Sequence, residues 1–364
     1  MSYYLSLFLL LFWTVIPVKA TEFPPVKFAV MGLTHGHSPW IFNSKADFVL
    51  VGIYEPDAQI ASRYAKQFNL PKDLFYADAE AMLQQTKPEA VLGFGSIYDH
   101  LQVVRLAAPK GIHVMLEKPM SAWMEHAREM EALAKKYGIH LLTNYETSWY
   151  ANHDAAYKII VGQKKIGKFT KAVFHHGHKG PKEIGVGDEF LSWLTDPDLN
   201  GGGALIDFGC YGANIMTYMM EGERPLSVTA VAQNFKPEIY SKVDDETTII
   251  LDYGDAQAII QASWNWPFDR KDMELYGTDG SMITSGRTGL HVRLQGEDKA
   301  QTVEIEAEKS GVYEDPFKYL IDVIRGKVKV EPFSPYSLSN NLLVVEILEA
   351  ARTSAKNGKT VFLD

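Results

Sequence analysis

Val26-Lys-Phe-Ala-Val-Met31, running at once into Gly32-Leu-Thr-His-Gly-His-Ser38, is the stretch on which the fold turns. Mostly apolar residues lead into a glycine-containing turn and then a helix. A buried strand that ends this way aims backbone N–H groups, and the positive end of the following helix, at an anion such as a phosphate. The pattern repeats outward. Phe48 to Tyr54 reads as a second strand ending at Glu55-Pro56-Asp57, and Ala58 to Phe68 has helical spacing. Glu89 to Gly95 reads as a strand, His100 to Ala108 as a helix, Ile112 to Leu116 as a strand, Ala122 to Tyr137 as a helix ending at Gly138, and Ile139 to Thr143 as a strand. Strands alternating with helices at this spacing mean a parallel sheet covered on both faces.

After a helix near Asn152 to Val161 the pattern changes. Lys168 to His178, Leu226 to Gln233, Thr247 to Tyr253, Gln257 to Trp264 and Lys271 to Tyr276 alternate and are joined by turns such as Gly277-Thr-Asp-Gly280, as in an antiparallel sheet. The expected fold class is α/β. A Rossmann-type, doubly wound parallel sheet spans 25–145, and an α+β domain with an open, mainly antiparallel sheet spans 146–336. A helix within 337–364 is placed to return to the first domain.

A chain of 364 residues suits two domains, because single cores stop growing near ~250 residues. Net charge is −9 and no Lys/Arg block stands out, which argues against a nucleic-acid partner and for a small polar substrate. Leu5 to Val18 is almost wholly apolar and is followed by Val18-Lys19-Ala20, a small-residue cleavage pattern. Residues 1–20 are therefore expected to be an export signal, which makes the mature chain periplasmic or secreted. An uncleaved anchor is the alternative, although the run falls short of the ~20 residues a spanning helix needs. The lone Cys210 rules out an intrachain disulfide.

In the first turn Gly32 fits the first position of G-x-G-x-x-G, but Thr34 stands second and His37 third, with Gly36 out of register. His35 and His37 either donate to a pyrophosphate or are simply polar turn residues. Glu55, at the end of the second strand, can accept both ribose hydroxyls of NAD and would repel a 2′-phosphate, unless it is a surface loop acid. Farther on, Glu117-Lys118-Pro119 ends an apolar strand and delivers an ammonium to the edge of the sheet. Asn200-Gly-Gly-Gly-Ala-Leu-Ile-Asp207-Phe-Gly-Cys-Tyr211-Gly-Ala-Asn214 sets Asp207, Tyr211 and Asn214 on one helical face. Lys118 and Tyr211 are expected to meet over the nicotinamide. An ammonium beside a phenol lowers its pKa from ~10, so that it can exchange a proton as hydride leaves or arrives. Asp207 would orient the substrate hydroxyl or the lysine; the alternative is a capping aspartate with a locally bonded tyrosine.

His175, His176, His178 and Lys179 open the second domain and can bond sugar hydroxyls, while Trp193, Trp264 and Trp266 offer flat faces. Trp264 and Trp266 alternate with Asn265 and are expected to point together. His176 and His178 share a strand face, but no third ligand completes a recognisable spacing, so no metal is expected.

Together these motifs resemble the glucose-fructose oxidoreductase, inositol dehydrogenase and MocA family over essentially all of the mature length. The family's E-K-P is matched by Glu117-Lys118-Pro119, and its G-G-G-x-x-x-D-x-G-x-H by Gly201 to Tyr211. Tyr211 stands where many members carry histidine, as in the glucose-fructose oxidoreductase branch, and Asn214 stands where many carry aspartate. The resemblance implies an NAD-dependent oxidoreductase acting on a saccharide or polyol, with Lys118, Asp207 and Tyr211 catalytic. It puts Glu117 on the cofactor side and Asn214 on the substrate side, and gives His100 a role that is either structural or close to the nicotinamide on the cofactor side. It also implies a homodimer or homotetramer through the open face of the second sheet. The glycines missing at Thr34 and His37 depart from the family pattern. Outside the cytoplasm free NAD is scarce, so a tightly held, recycled cofactor is expected. Coupled oxidoreduction meets that need, and so does a redox-neutral glycosidase or lyase working through a 3-keto sugar. The rival from another class is a sugar-binding protein that lost the cofactor turn.

Overall fold

The computed structural model describes residues 23–363, so the expected export signal lies outside the described residues. Strands β1 (Val26–Met31), β2 (Phe48–Tyr54), β3 (Phe75–Tyr76), β4 (Ala90–Gly93), β5 (His113–Glu117) and β6 (Leu141–Asn144) form a parallel sheet ordered β3-β2-β1-β4-β5-β6. The chain reverses direction across the sheet between β1 and β4, which opens a crevice at their carboxyl ends. Phe28, Ala29 and Val30 are all fully buried, as a strand covered on both faces requires. Ala29, Val91, Val114 and Leu116 pack on one side with the helices His100–Ala107 and Met124–Tyr137.

Val26, Phe28, Val30 and Leu92 pack on the other side, where Phe317, Leu320, Ile321 and Val323 join them. Those four belong to the helix Pro316–Ile324, which the sequence reading placed in the second domain. Its apolar face is instead complementary to the first sheet, and Arg325 just beyond it pairs with Glu89 at 2.5 Å.

Among the described residues nine strands make the second sheet: β7 (Phe169–Gly177), β8 (Ser227–Gln233), β9 (Glu246–Asp252), β10 (Gln257–Ser263), β11 (Arg270–Gly277), β12 (Gly280–Ser285), β13 (Gly289–Leu294), β14 (Gln301–Glu304) and β15 (Val361–Phe362). Their order is β14-β13-β12-β11-β7-β10-β9-β8-β15, antiparallel except where β7 meets β10. The inner face packs on the helix Gly209–Met219. The outer face carries an in-register row of Ile250, Ile259, Val173, Glu274 and Ile283.

The C-terminal helix Leu338–Asn357 is capped by Ser337, whose hydroxyl accepts from the Asn340 N–H at 3.2 Å. Val344, Ile347 and Leu348 enter the second domain's core and Val345 enters the first, so the helix grips both.

Candidate active site

β5 delivers Glu117 and Lys118 to the crevice, and the glycine run before the helix Ala204–Asp207 brings Asp207 over them. The Lys118 ammonium pairs with Asp207 Oδ1 and also donates to the Asp207 carbonyl at 3.0 Å. Asp207 Oδ2 accepts from Trp264 Nε1 at 3.0 Å, so both carboxylate oxygens are held. Burial works against each charge. For Lys118 the Asp207 carboxylate outweighs it and raises the ammonium's pKa; for Asp207 the Lys118 ammonium outweighs it and lowers the carboxyl's. The pair stays ionised.

Tyr211 lies one helical turn beyond Asp207, with Lys118 Nζ 5.1 Å from its ring centre. A second ammonium, that of Lys271, stands 5.3 Å from the same ring and pairs with Glu146. Lys271 reaches the site through sheet register, opposite His176 in the β11–β7 ladder, and no local sequence signal marks it. The expectation that a nearby ammonium lowers the Tyr211 pKa is not met. Burial first, then Glu146, pushes the phenol well above its usual value, because each ammonium is already neutralised by its own carboxylate. Tyr211 is therefore a proton donor at rest.

His176 is fully buried on the inner sheet face, 5.5 Å ring to ring from Tyr211, and both its ring nitrogens lack a partner among the described residues. Burial holds it neutral. His178 packs edge-on against Phe208 at 4.9 Å, and burial lowers its pKa too.

Other expected contacts resolve differently. His175 points to the outer face, bonded to Gln261 at 2.8 Å and Glu274 at 3.2 Å, because neighbours in a strand face opposite ways. Lys179 is exposed, and its carbonyl receives the Lys236 ammonium at 2.7 Å. Trp264 is wholly buried and serves Asp207 rather than offering a face to a sugar. It does not point with Trp266: β10 ends at Ser263, so alternation stops there, and Trp266 lies near His175 at 6.4 Å. Asn214 donates to the Pro335 carbonyl at 2.6 Å and to Asn340 at 2.9 Å, tying its helix to the C-terminal segment. Trp193 covers the first turn, donating to Thr34 Oγ1 at 3.2 Å and stacking on His35 at 5.7 Å.

In that turn Gly32 has φ +82°, and a Cβ there would lie 2.8 Å from the Gly95 nitrogen, so the turns after β1 and β4 touch backbone to backbone. Glu55 is buried rather than a surface acid, accepting from the N–H groups of Leu33 at 2.9 Å and Asp57 at 3.0 Å. Burial raises its pKa. Among the described residues the Thr34 and Gly36 amides have no protein partner, which leaves two donors for a phosphate. The helix that follows, Pro39–Asn43, is too short to add much dipole. A dinucleotide thus fits on close backbone approach and the Glu55 carboxylate.

Glu117 accepts from Asn144 at 2.7 Å and meets His37 Nδ1 at 2.9 Å; burial opposes its charge, but His37 and His35 carry its pKa down to about 2. His35, His37 and Glu117 present ligand atoms within 4.8 Å of one another, a grouping invisible in sequence because Glu117 comes from another strand. The His35 tautomer decides what it is. Its Nδ1 accepts the His37 N–H at 3.1 Å, so the proton sits on Nε2, the nitrogen facing Glu117 at 4.0 Å. A metal at Nε2 would force that proton onto Nδ1, against an N–H donor, and ligating imidazoles need the opposite arrangement. The cluster is a hydrogen-bonded clamp between the turn and β5. His100 is fully buried, bonded through Nδ1 to the Met120 carbonyl at 3.1 Å beside the Lys118 loop, and its Nε2 has no partner among the described residues.

Residues 26–145 match the oxidoreductase family with an NAD-binding Rossmann fold, and 155–283 match the GFO/IDH/MocA C-terminal domain. These matches cover well over half of the chain, and the protein belongs to the GFO/IDH/MocA family. It is 29% identical over 221 residues to the trans-1,2-dihydrobenzene-1,2-diol dehydrogenase of Xenopus tropicalis, a match covering 60% of this chain and 61% of that one. With the D-xylose 1-dehydrogenase [NADP(+)] of Haloarcula marismortui it shares 24% identity, over 73% and 72% of the two chains. Its fold is similar to that of the aldose-aldose oxidoreductase of Caulobacter crescentus complexed with glycerol, with TM-score 0.76 and 21% identity over 93% and 100%.

Proposed function

We propose that this chain is an exported, NAD-dependent oxidoreductase acting on a hydroxyl of a saccharide or polyol. The observation that carries the proposal is the buried Lys118–Asp207 ion pair set under Tyr211 at the carboxyl end of β5. Bound dinucleotide supplies the hydride chemistry; the protein's part is to place protons. With Tyr211 neutral and Lys118 charged, both groups donate, the state that protonates a carbonyl oxygen as it is reduced. In the oxidising direction the neutral imidazole of His176, whose ring nitrogens have no partner among the described residues, is the available proton acceptor; His178 Nδ1 already accepts the Gly180 N–H at 2.9 Å. Glu55 favours NAD over its 2′-phosphorylated form, whose charge it would repel. Support for the substrate class comes from the relatives, which are named dehydrogenases of a diol and of a sugar. Support for export comes from the apolar run Leu5 to Val18 with its small-residue exit.

A second reading keeps the dinucleotide in place and returns the hydride within one turnover, by coupled oxidoreduction or by cleavage through a 3-keto sugar. It is favoured by Trp193, Phe190 and His35, which pack together over the turn and would slow exchange.

Protein purified without added nucleotide should release near-stoichiometric NAD when denatured. An empty protein that also fails to bind added NAD overturns both readings in favour of a sugar-binding role. Net accumulation of NADH on sugar addition would sink only the recycling reading.

A further inference from the structure

Farther along the helix that carries Tyr211 lies a second cavity, of about 320 Å³, walled by the segment after β6, that helix and residues 311–336. Its wall includes Thr147, Ser148, Trp149, Asn214, Tyr218 and Tyr336, and none of Lys118, Asp207 or Tyr211. At ~1.5 Å rise per residue, the wall runs from Asn214, about 4.5 Å beyond Tyr211, to Tyr218, about 10 Å beyond it, so the space opens on the side of the helix end away from the Lys118–Asp207 pair. Six polar atoms of its lining residues are buried without a hydrogen-bond partner among the described residues: Thr147 Oγ1, Ser148 Oγ, Asn214 Oδ1, Tyr319 Oη and both ring nitrogens of His153. Thr147 is 1% exposed and Asn214 0%. Buried polar atoms are nearly always bonded, so these six orphans around one cavity mark a place where something else supplies the partners.

The wall's chemistry selects what that is. Among the described residues no lysine or arginine lines the cavity, so it offers no counter-charge to a phosphate or carboxylate. Its one carboxylate, Asp154, is paired with Lys158 at 2.6 Å and has no need of a cationic ligand. What remains is three unbonded hydroxyls, an amide carbonyl, the imidazole of His153, which burial keeps neutral, and the rings of Trp149, Tyr218 and Tyr336, a mixture of hydrogen-bonding atoms and flat apolar faces. The volume lies at the small end of ligand pockets, ~300–1,000 Å³, and takes one ring rather than two. We propose that this cavity is a second binding site, for a neutral hydroxyl-bearing ring compound the size of a single monosaccharide.

The test is calorimetric titration of the full chain, without added nucleotide, with myo-inositol, D-glucose and D-xylose as probes. Binding of at least one probe should persist in Lys118→Ala, which lacks the hydride-site ammonium, and disappear when Ser148→Phe fills the cavity in that background. Thr147→Val, which keeps the shape and removes one hydroxyl, should weaken binding roughly 5-fold, the scale of one net hydrogen bond, and decides the matter if Ser148→Phe does not fold. No binding in Lys118→Ala, or binding untouched by Ser148→Phe and Thr147→Val, leaves the cavity to water and overturns the proposal. Failure of the oxidoreductase reading shows separately, as turnover that Lys118→Ala does not change.

Discussion

Tyr211 shows how far a residue can be read by itself. Its place after Asp207 in a glycine-led motif puts it beside Lys118, and both groups do meet at its ring. Its protonation state was not legible. That depends on Lys271 and Glu146, which arrive from β11 and from the segment after β6, and on burial that only packing creates. The same holds for Trp264 on Asp207 and Asn144 on Glu117, pairings across long sequence separations. With sugar substrate, Lys118→Ala and Tyr211→Phe should each lower turnover by roughly 10²-fold or more, the scale of a positioned acid-base group, while far-UV circular dichroism stays native. Near-native turnover in both would remove them from the chemistry.

Among the elements, the glycine run Gly201 to Gly203 has a specific cause. Asp244 caps the helix Ala204–Asp207 from another segment, its carboxylate accepting from the N–H groups of Gly203 at 2.9 Å and Leu205 at 2.7 Å. A Cβ on Gly203 would lie 1.8 Å from the Asp244 carbonyl oxygen. Gly203→Ala must therefore displace the helix start and Asp207 with it. We expect a loss of about 1–3 kcal/mol in a denaturant melt, the usual cost of forced overpacking, together with at least a tenfold drop in turnover. A variant that keeps both would show that the approach is not needed. The glycines were visible in sequence as a request for close contact; the Asp244 backbone they admit was not. The strands of the second sheet divide in the same way. β7 to β11 are marked by alternation, whereas β14 is exposed at every residue and β15 is two residues long, so only pairing with a neighbour defines them.

For the whole molecule, buried ionisable groups tie stability to pH. Burial brings His113 and His153 down to about 4 from 6.5. Between those values the unfolded chain takes up protons that the folded chain refuses, so stability falls as pH falls. Glu117 and Glu146 sit at about 2 against 4.5, despite burial, because of His37 and Lys271 respectively. Their contribution is complete above 4.5 and is lost as pH drops toward 2, in the same direction. Thermal melts should give a Tm that declines steadily from pH 7 to pH 4; a flat or rising Tm would contradict these burials.

The sequence by itself determined the parallel sheet, the antiparallel second sheet and the Lys118, Asp207 and Tyr211 set, because periodicity, glycine turns and short motifs are properties of neighbouring residues. Tertiary structure alone decided that Pro316–Ile324 packs on the first sheet, that Trp193 covers the turn and that His35, His37 and Glu117 form a clamp. It also decided that Tyr211 rests neutral between two compensated ammoniums. Those outcomes depend on which faces meet and what they exclude from water, and no local run of residues carries that information.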